Sequence, residues 1–315
     1  MGLMGMVRRS AAIGVVLLAA ACGTAGGPAR DDAEAARWYR EAAEAGEPAA
    51  MAEYARLLMG GRGVAKDEAA GVAWLRKAVD RGSASATAML GVAYLNGLGV
   101  AVDDAEGIRL LRLAVDQGDA LGQRNLGACY ALGRGVPPDD AEAVRLFRLA
   151  ADQGDAKALA FLAMMHEEGR GVAKDEAQAL ALYRQAAENG SDLAVNNIGY
   201  LYETGTGVRQ SWREAVIWYR RAAERGVAQA QYNLARFLEE GKGVETNEAE
   251  AVHWLRKAAA QNDPAAQTRL ARLLRDGRGA ERNVEEARAL LLRADAQGHA
   301  PAKLELERLG DASRP

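Results

Sequence analysis

A pair of glycines separated by one residue returns every 36 positions along this chain. The copies are Gly61/Gly63, Gly97/Gly99, Gly133/Gly135, Gly169/Gly171, Gly205/Gly207, Gly241/Gly243 and Gly277/Gly279, with no insertion or deletion between them. A period of that length held over so many copies marks a stacked repeat, in which one supersecondary unit leans on the next. It removes the need to divide 315 residues into two globular domains.

A second ladder runs through Gly46, Gly82, Gly118, Gly154, Gly190, Gly226, Asn262 and Gly298. Asn is the residue after Gly that best tolerates the left-handed conformation, so this ladder predicts helix C-termini. Fifteen residues before each stop stands a good N-cap: Asp31, Asp67, Asp103, Asp139, Asp175, Ser211, Asn247 and Asn283. Three residues on, Glu34, Glu106, Glu142, Gln178, Glu214, Glu250 and Glu286 complete the pattern of a capping box. Inside this helix one column is always Ala, from Ala42 and Ala78 to Ala294. The column four residues earlier is Trp or Leu, from Trp38 and Trp74 to Leu290. Large and small on one helical face is packing chemistry. The segment before each Gly-x-Gly carries Tyr54, Leu90, Leu126, Leu162, Ile198, Leu234 and Leu270 beside a small Ala or Gly column. No segment alternates with the period of a strand. Each repeat therefore reads as helix A, a Gly-x-Gly turn, helix B and a Gly or Asn stop.

The unit AVNNIGYLYETGTGVRQSWREAVIWYRRAAERG, residues 194–226, places Ala194, Ile198, Gly199, Tyr202, Gly205, Gly207, Val208, Ala215, Trp218, Ala222, Ala223 and Gly226 in order. It resembles the Sel-one-like repeat (SLR), a relative of the tetratricopeptide repeat. Ser211 stands for the usual Asp, His166 or Leu sometimes for the Tyr, and Ala280 for the last Val. The resemblance implies an all-α fold, an α/α solenoid superhelix of 36-residue helix–turn–helix repeats with about sixteen helices. Its expected boundaries are an N-terminal half-repeat 31–46, seven repeats over 47–298, a capping helix 299–310 and a tail 311–315.

The first thirty residues read as something else. Arg8 and Arg9 precede an apolar run, Ala11–Ala21, too short to span a bilayer and of the length of a signal-peptide core. The run ends in LAAAC at Cys22, which resembles the bacterial lipobox, although the usual Leu is displaced by one place to Leu18. The resemblance implies a signal peptide over 1–21, a diacylated Cys22, and a linker over 22–30. Gly23 implies an outer-membrane destination on the periplasmic face. Cleavage after Ala21 without acylation, leaving a soluble periplasmic or secreted protein, stays open.

Little here points to chemistry. A net charge of −3 gives no footprint for nucleic acid. The glycine pairs lack the preceding strand and the Lys-Ser/Thr tail of a phosphate loop. His166, His253 and His299 fall in different columns without metal-ligand spacing. Cys129 occupies a core column, and no Ser sits in a nucleophile elbow. No catalytic residue, metal or cofactor is expected, and the chain reads as a non-enzyme. One charge pattern is regular: Arg40, Arg76, Arg112, Arg148, Arg184, Arg220 and Arg256, mostly with an acid four residues on. Two readings stand, a solvated face of weak pairs or bridges between neighbouring repeats.

Specificity must lie in columns that change. In tetratricopeptide-like solenoids helix A lines the concave side. There the expected groove consists of Met89, Val92, Asn125, Phe161, Met164, Asn197, Tyr200, Asn233, Arg236, Arg269 and Arg272. Its apolar, amide-rich middle and basic end suit a peptide or protein surface with an apolar centre and an acidic end. The leading expectation is an interaction scaffold of the cell envelope that touches membrane only through its lipid. Two alternatives stay open. One is a β-lactam-binding or hydrolysing enzyme, as credited to cysteine-rich relatives; the other is a peptidoglycan- or polysaccharide-binding module using Tyr200 and Tyr232.

Overall fold

The computed structural model describes residues 29–311; the expected signal peptide, lipobox and acylated Cys22 lie outside the described residues. Sixteen α-helices and no strand are found among them. They are α1 (Ala29–Glu44), α2 (Pro48–Gly60), α3 (Glu68–Val79), α4 (Ala84–Asn96), α5 (Asp104–Asp116), α6 (Ala120–Leu132), α7 (Asp140–Asp152) and α8 (Ala156–Glu168). The second half continues with α9 (Glu176–Glu188), α10 (Asp192–Thr204), α11 (Trp212–Glu224), α12 (Ala228–Glu240), α13 (Glu248–Ala260), α14 (Pro264–Asp276), α15 (Val284–Ala296) and α16 (Ala300–Asp311). Even-numbered helices are the A helices and odd-numbered ones the B helices. The chain divides into two compact units, one ending at Lys174 with α1–α8 and one beginning at Asp175 with α9–α16. Each is a run of α/α-solenoid repeats.

The stops and starts follow from local chemistry. All the second-ladder glycines have positive φ, and Asn262, with φ 63°, is the one non-glycine to do so among the described residues. Asp67, Asp103, Asp139, Asp175, Ser211, Asn247 and Asn283 each accept from the backbone N–H three residues on. Asp31 does not fit. Helix α1 begins at Ala29, inside the expected linker, so Asp31 lies within its first turn.

The capping box is also only half made. The N-cap N–H groups of Asp67, Asp103, Ser211 and Asn247 donate instead to Leu58, Tyr94, Tyr202 and Leu238 near the end of the preceding A helix. The glutamates three residues on are thereby released for ion pairs. Glu106 and Glu142 hold Arg109 and Arg145 on the same helix, whereas Glu250 and Glu286 reach back one repeat. A cap column missed in the sequence serves the A helices: Ser83, Asp119, Asp155, Ser191 and Asp263 each accept from the N–H three residues on.

Glycines of the helix A column and of the Gly-x-Gly turns carry packing. A Cβ built on Gly199 would lie 2.7 Å from the ring of Tyr219, so glycine there lets a buried tyrosine seat against the helix A backbone. A Cβ on Gly171 would lie 2.1 Å from the carbonyl oxygen of Asp140, at the start of the B helix one repeat earlier. The second glycine of each turn is therefore a joint between repeats as well as a reversal within one.

The arginine ladder resolves by partner. Where the next A helix offers a tyrosine eighteen residues on, the guanidinium donates to its hydroxyl: Arg76 to Tyr94, Arg112 to Tyr130 and Arg184 to Tyr202, at 2.9–3.5 Å. Where that residue is Leu238 or Leu274, Arg220 and Arg256 bridge to Glu250 and Glu286 of the next B helix. Arg40, facing Leu58, keeps the intrahelical pair with Glu44 at 3.1 Å. The bridging reading holds for Arg220 and Arg256, with a different acid column from the one expected. A second set comes from the turns themselves: Arg62, Arg134, Arg170 and Arg278 pair with Asp32, Asp104, Asp140 and Glu248, thirty residues back.

Candidate functional site

In the first unit, α2, α4 and α6 lie side by side. Between them is a cavity of about 180 Å³ lined by Glu53, Arg56, Met59, Ser85, Met89, Val92, Leu121 and Asn125. Three expected groove residues, Met89, Val92 and Asn125, thus come together. Met89 is half-buried, while Val92 and Asn125 form the buried floor. The Asn125 amide nitrogen donates to the Leu121 carbonyl at 2.8 Å, which orients the side chain within its own helix. Glu53 and Arg56 pair at 2.7 Å along one rim. Ser85 is exposed beside the apolar wall.

Phe161 and Met164 are placed otherwise. They are 3% and 5% exposed, and the Phe161 ring packs 5.2 Å from that of Phe147 on α7. Neither presents a side chain for a partner to touch. Column counting treats a helix as isolated, but α8 spends this face on its neighbours. Buried Arg124 shows the same demand: its guanidinium reaches Asp155, at the start of the next A helix, at 2.6 Å.

In the second unit the expected face comprises Asn197, Tyr200, Asn233, Arg236, Arg269 and Arg272. Tyr200 is 37% exposed, and Asn197 and Asn233 are half-buried. Asn233 accepts from Gln229 and donates to Asn196 one repeat earlier. The basic end is neutralised. Arg236 holds Glu203 at 2.7 Å, Arg269 holds Glu239 at 2.7 Å and Glu240 at 3.1 Å, and Arg272 holds Glu305 at 3.0 Å. Burial opposes ionisation of Glu240, but hydrogen bonds from Lys242 and Arg269 outweigh it and hold the carboxyl below its usual range. Burial, with the Glu203 carboxylate at 2.7 Å, pushes the Tyr219 hydroxyl well up, so it stays protonated and donates. These arginines staple adjacent A helices, and an acidic ligand would have to displace a glutamate already in place. The signal for this was present in the sequence, because Glu203, Glu239 and Glu240 precede Arg236 and Arg269 by about one repeat.

The remaining groups offer little reactivity. Cys129 is fully buried, and burial pushes its thiol up to about 12, so it is neither a thiolate nor accessible to a β-lactam. Among the described residues no group of three or more His, Cys, Asp or Glu side chains is arranged to hold a metal ion. None of the described helices is long and apolar enough to cross a membrane. On the B-helix side of the first unit two shallow hollows of about 410 and 380 Å³ lie one repeat apart, beside Leu113 and Leu149. Both leucines are 38% exposed.

Comparison with known proteins places this architecture. The Sel1 repeat pattern matches residues 16–47, 48–83, 84–119, 120–155, 156–191, 192–227, 228–263 and 264–299. The chain is similar to a solved Sel1 repeat protein from Oxalobacter formigenes, with 31% identity and TM-score 0.68 over 90% of this chain and 83% of that one. It is also similar to a protective antigen present in uropathogenic Escherichia coli strains that displays an SLR fold. There identity is 31% and TM-score 0.64 over 89% of this chain, which spans 60% of the antigen's length. The Cut9–Hcn1 hetero-tetramer of the APC/C shares the fold at 15% identity, with TM-score 0.55 over 83% of this chain and 48% of that one. No curated protein sequence matches the chain.

Proposed function

Starting from the chain's membership of the Sel1 repeat family, whose proteins are generally protein-interaction scaffolds, we propose that it is a non-enzymatic adaptor of the bacterial cell envelope. It binds a protein or peptide partner on the A-helix face of its first unit. The observation that carries this reading is the cavity among α2, α4 and α6. It is concave and half apolar, and it is built from positions that differ between repeats while the repeated columns are spent on packing. A partner supplies one apolar side chain to sit against Met89, Val92 and Leu121, and polar groups for Ser85 and the Glu53–Arg56 rim. Supporting an exported location, a relative of 31% identity is a protective antigen, and antibodies reach molecules that are released or displayed.

Met89→Glu is the direct test of the face. It places a charge on a half-buried position at the cavity and should reduce capture of the wild-type partner at least about tenfold with helicity unchanged. Undiminished capture would remove this cavity from the account. The anchor is tested separately. The wild-type chain expressed in bacteria should incorporate labelled palmitate, and Cys22→Ser should abolish the label and release the protein from the membrane fraction. Label-free wild type would leave a soluble exported scaffold.

A further inference from the structure

Three places in the chain put Asn or Asp directly before Gly: Asn96–Gly97, Asn189–Gly190 and Asp276–Gly277. Glycine has no Cβ to hinder its amide nitrogen, which is therefore free to attack the carbonyl of the preceding side chain. The fold treats the three differently. Asn96 is half-buried and held at both ends: its Nδ2 donates to the Val92 carbonyl at 3.1 Å, and its Oδ1 accepts from Arg134 at 3.2 Å. A Cβ built on Gly97 would lie 2.9 Å from Val102, so that turn is closed as well. Asp276 is held by Arg275 at 2.7 Å; this hydrogen bond keeps its carboxyl below the usual range, and a carboxylate is a poor electrophile. Asn189 differs by a matter of length. It stands in the column of Gln117, Gln153, Gln261 and Gln297. Gln153 and Gln261 reach back to the carbonyls of the stop glycines Gly118 and Gly226, at 3.0 and 2.9 Å, and to Gln123 and Gln231 on the preceding A helix. Asn is one methylene shorter. Its side chain is exposed and forms no hydrogen bond among the described residues, and nothing lies within 4 Å of a Cβ built on Gly190.

We propose that Asn189 is a modification site, at which the chain deamidates spontaneously and selectively. The Gly190 amide nitrogen gives its proton to hydroxide and bonds to Cγ of Asn189. The side-chain nitrogen takes a proton from water and leaves as ammonia, and a cyclic succinimide remains. Water then opens either carbonyl of the ring. One product is aspartate; the other is isoaspartate, with the main chain rerouted through Cβ. The native backbone holds the reactants apart. Asn189 has φ −78° and ψ 9°, which turns the Gly190 nitrogen away from Cγ, and the Gly190 N–H donates to Ala187 at 3.2 Å. The reaction therefore runs from a frayed last turn of α9, an opening that breaks few bonds at an exposed helix end. Both products place a carboxylate beside Glu188 at the C-terminus of α9, where the helix dipole disfavours it. Isoaspartate also adds a backbone atom beside the bond from the Ser191 N–H to the Ala186 carbonyl, now 2.8 Å. The turn between α9 and α10 loosens as the molecule ages.

The test ages the full chain at mildly alkaline pH and follows it by peptide mass spectrometry and by enzymatic methyl labelling of isoaspartate. The Asn189 peptide should gain the mass difference between an amide and an acid, at least about tenfold faster than the Asn96 peptide. In urea the two should convert within about threefold of each other, because each Asn then meets only its own Gly. Asn189→Gln should remove most of the methyl label from the folded chain. Equal conversion of Asn96 and Asn189 in the folded chain would overturn the proposal, since the fold would then select nothing. So would an unchanged Asn189 in the folded chain while the urea-unfolded chain converts, or a methyl label undiminished in Asn189→Gln. None of these readouts involves a partner or a lipid, so this idea and the proposed function fail separately.

Discussion

Gly171→Ala should cost at least about 3 kcal/mol of stability, and Gly154→Ala about 1 kcal/mol. Both glycines have positive φ, 64° and 85°. Each substitution therefore incurs the left-handed penalty of a residue with a Cβ. The difference is what the new methyl meets. At Gly154 nothing lies within 4 Å, whereas at Gly171 the Cβ would stand 2.1 Å from the Asp140 carbonyl oxygen and 2.3 Å from its carbon. Those are backbone atoms at the start of α7, so relief requires the turn and the preceding repeat to separate. Separation also lengthens the pair of Arg170 with Asp140, now 2.6 Å. Urea titrations of the two variants check this. Equal losses would mean that the turn reverses the chain without joining repeats.

Phe161→Ser is expected to lose about 4 kcal/mol, near the upper part of the range for emptying a large aromatic site, with a hydroxyl left in an apolar pocket. The side chain is 3% exposed and lies against Phe147, itself fully buried. Thermal denaturation followed by circular dichroism should show the loss directly. Tyr200→Ser, at a 37% exposed position, should stay within about 0.5 kcal/mol. A stable Phe161→Ser protein with weakened partner capture would restore Phe161 to the groove. Loss of capture together with unfolding says nothing about contact, which is why Met89 is the better probe.

These two positions show where sequence reading succeeds and where it stops. Gly171 was legible because a turn glycine answers to local dihedral geometry, and a period of 36 repeats that demand seven times. The caps at Asp67 or Asn283 were legible for the same reason. Asp31 was misplaced because α1 starts at Ala29, which puts that residue inside the first turn instead of before it, and the reciprocal arm of the capping box failed because a neighbouring helix claimed the N–H first. The groove was partly legible. Met89, Val92 and Asn125 do share one cavity, since the spacing of a single column across α4 and α6 is set by the repeat. Phe161 and Met164 were not, because their burial is set by side chains of adjoining helices such as Phe147, and reading one column at a time left out the acids that stand about one repeat from the arginines. Arg236 and Arg269 look free in a helical projection and are paired in space. The arginine in each GRG turn, which the column reading did not single out, is a bridge to the previous repeat.

The central claim is that the first unit's A-helix face meets a partner protein. Replacing Met89 with a photo-crosslinking phenylalanine analogue in the native host tests it most directly, with the same analogue at Ile217, 51% exposed on α11, as the control position. Irradiation should yield one discrete protein adduct from position 89, absent in the Ser85→Arg background and absent from position 217. Adducts from position 217 alone, or none from position 89 in cells where the chain is abundant, would contradict the account.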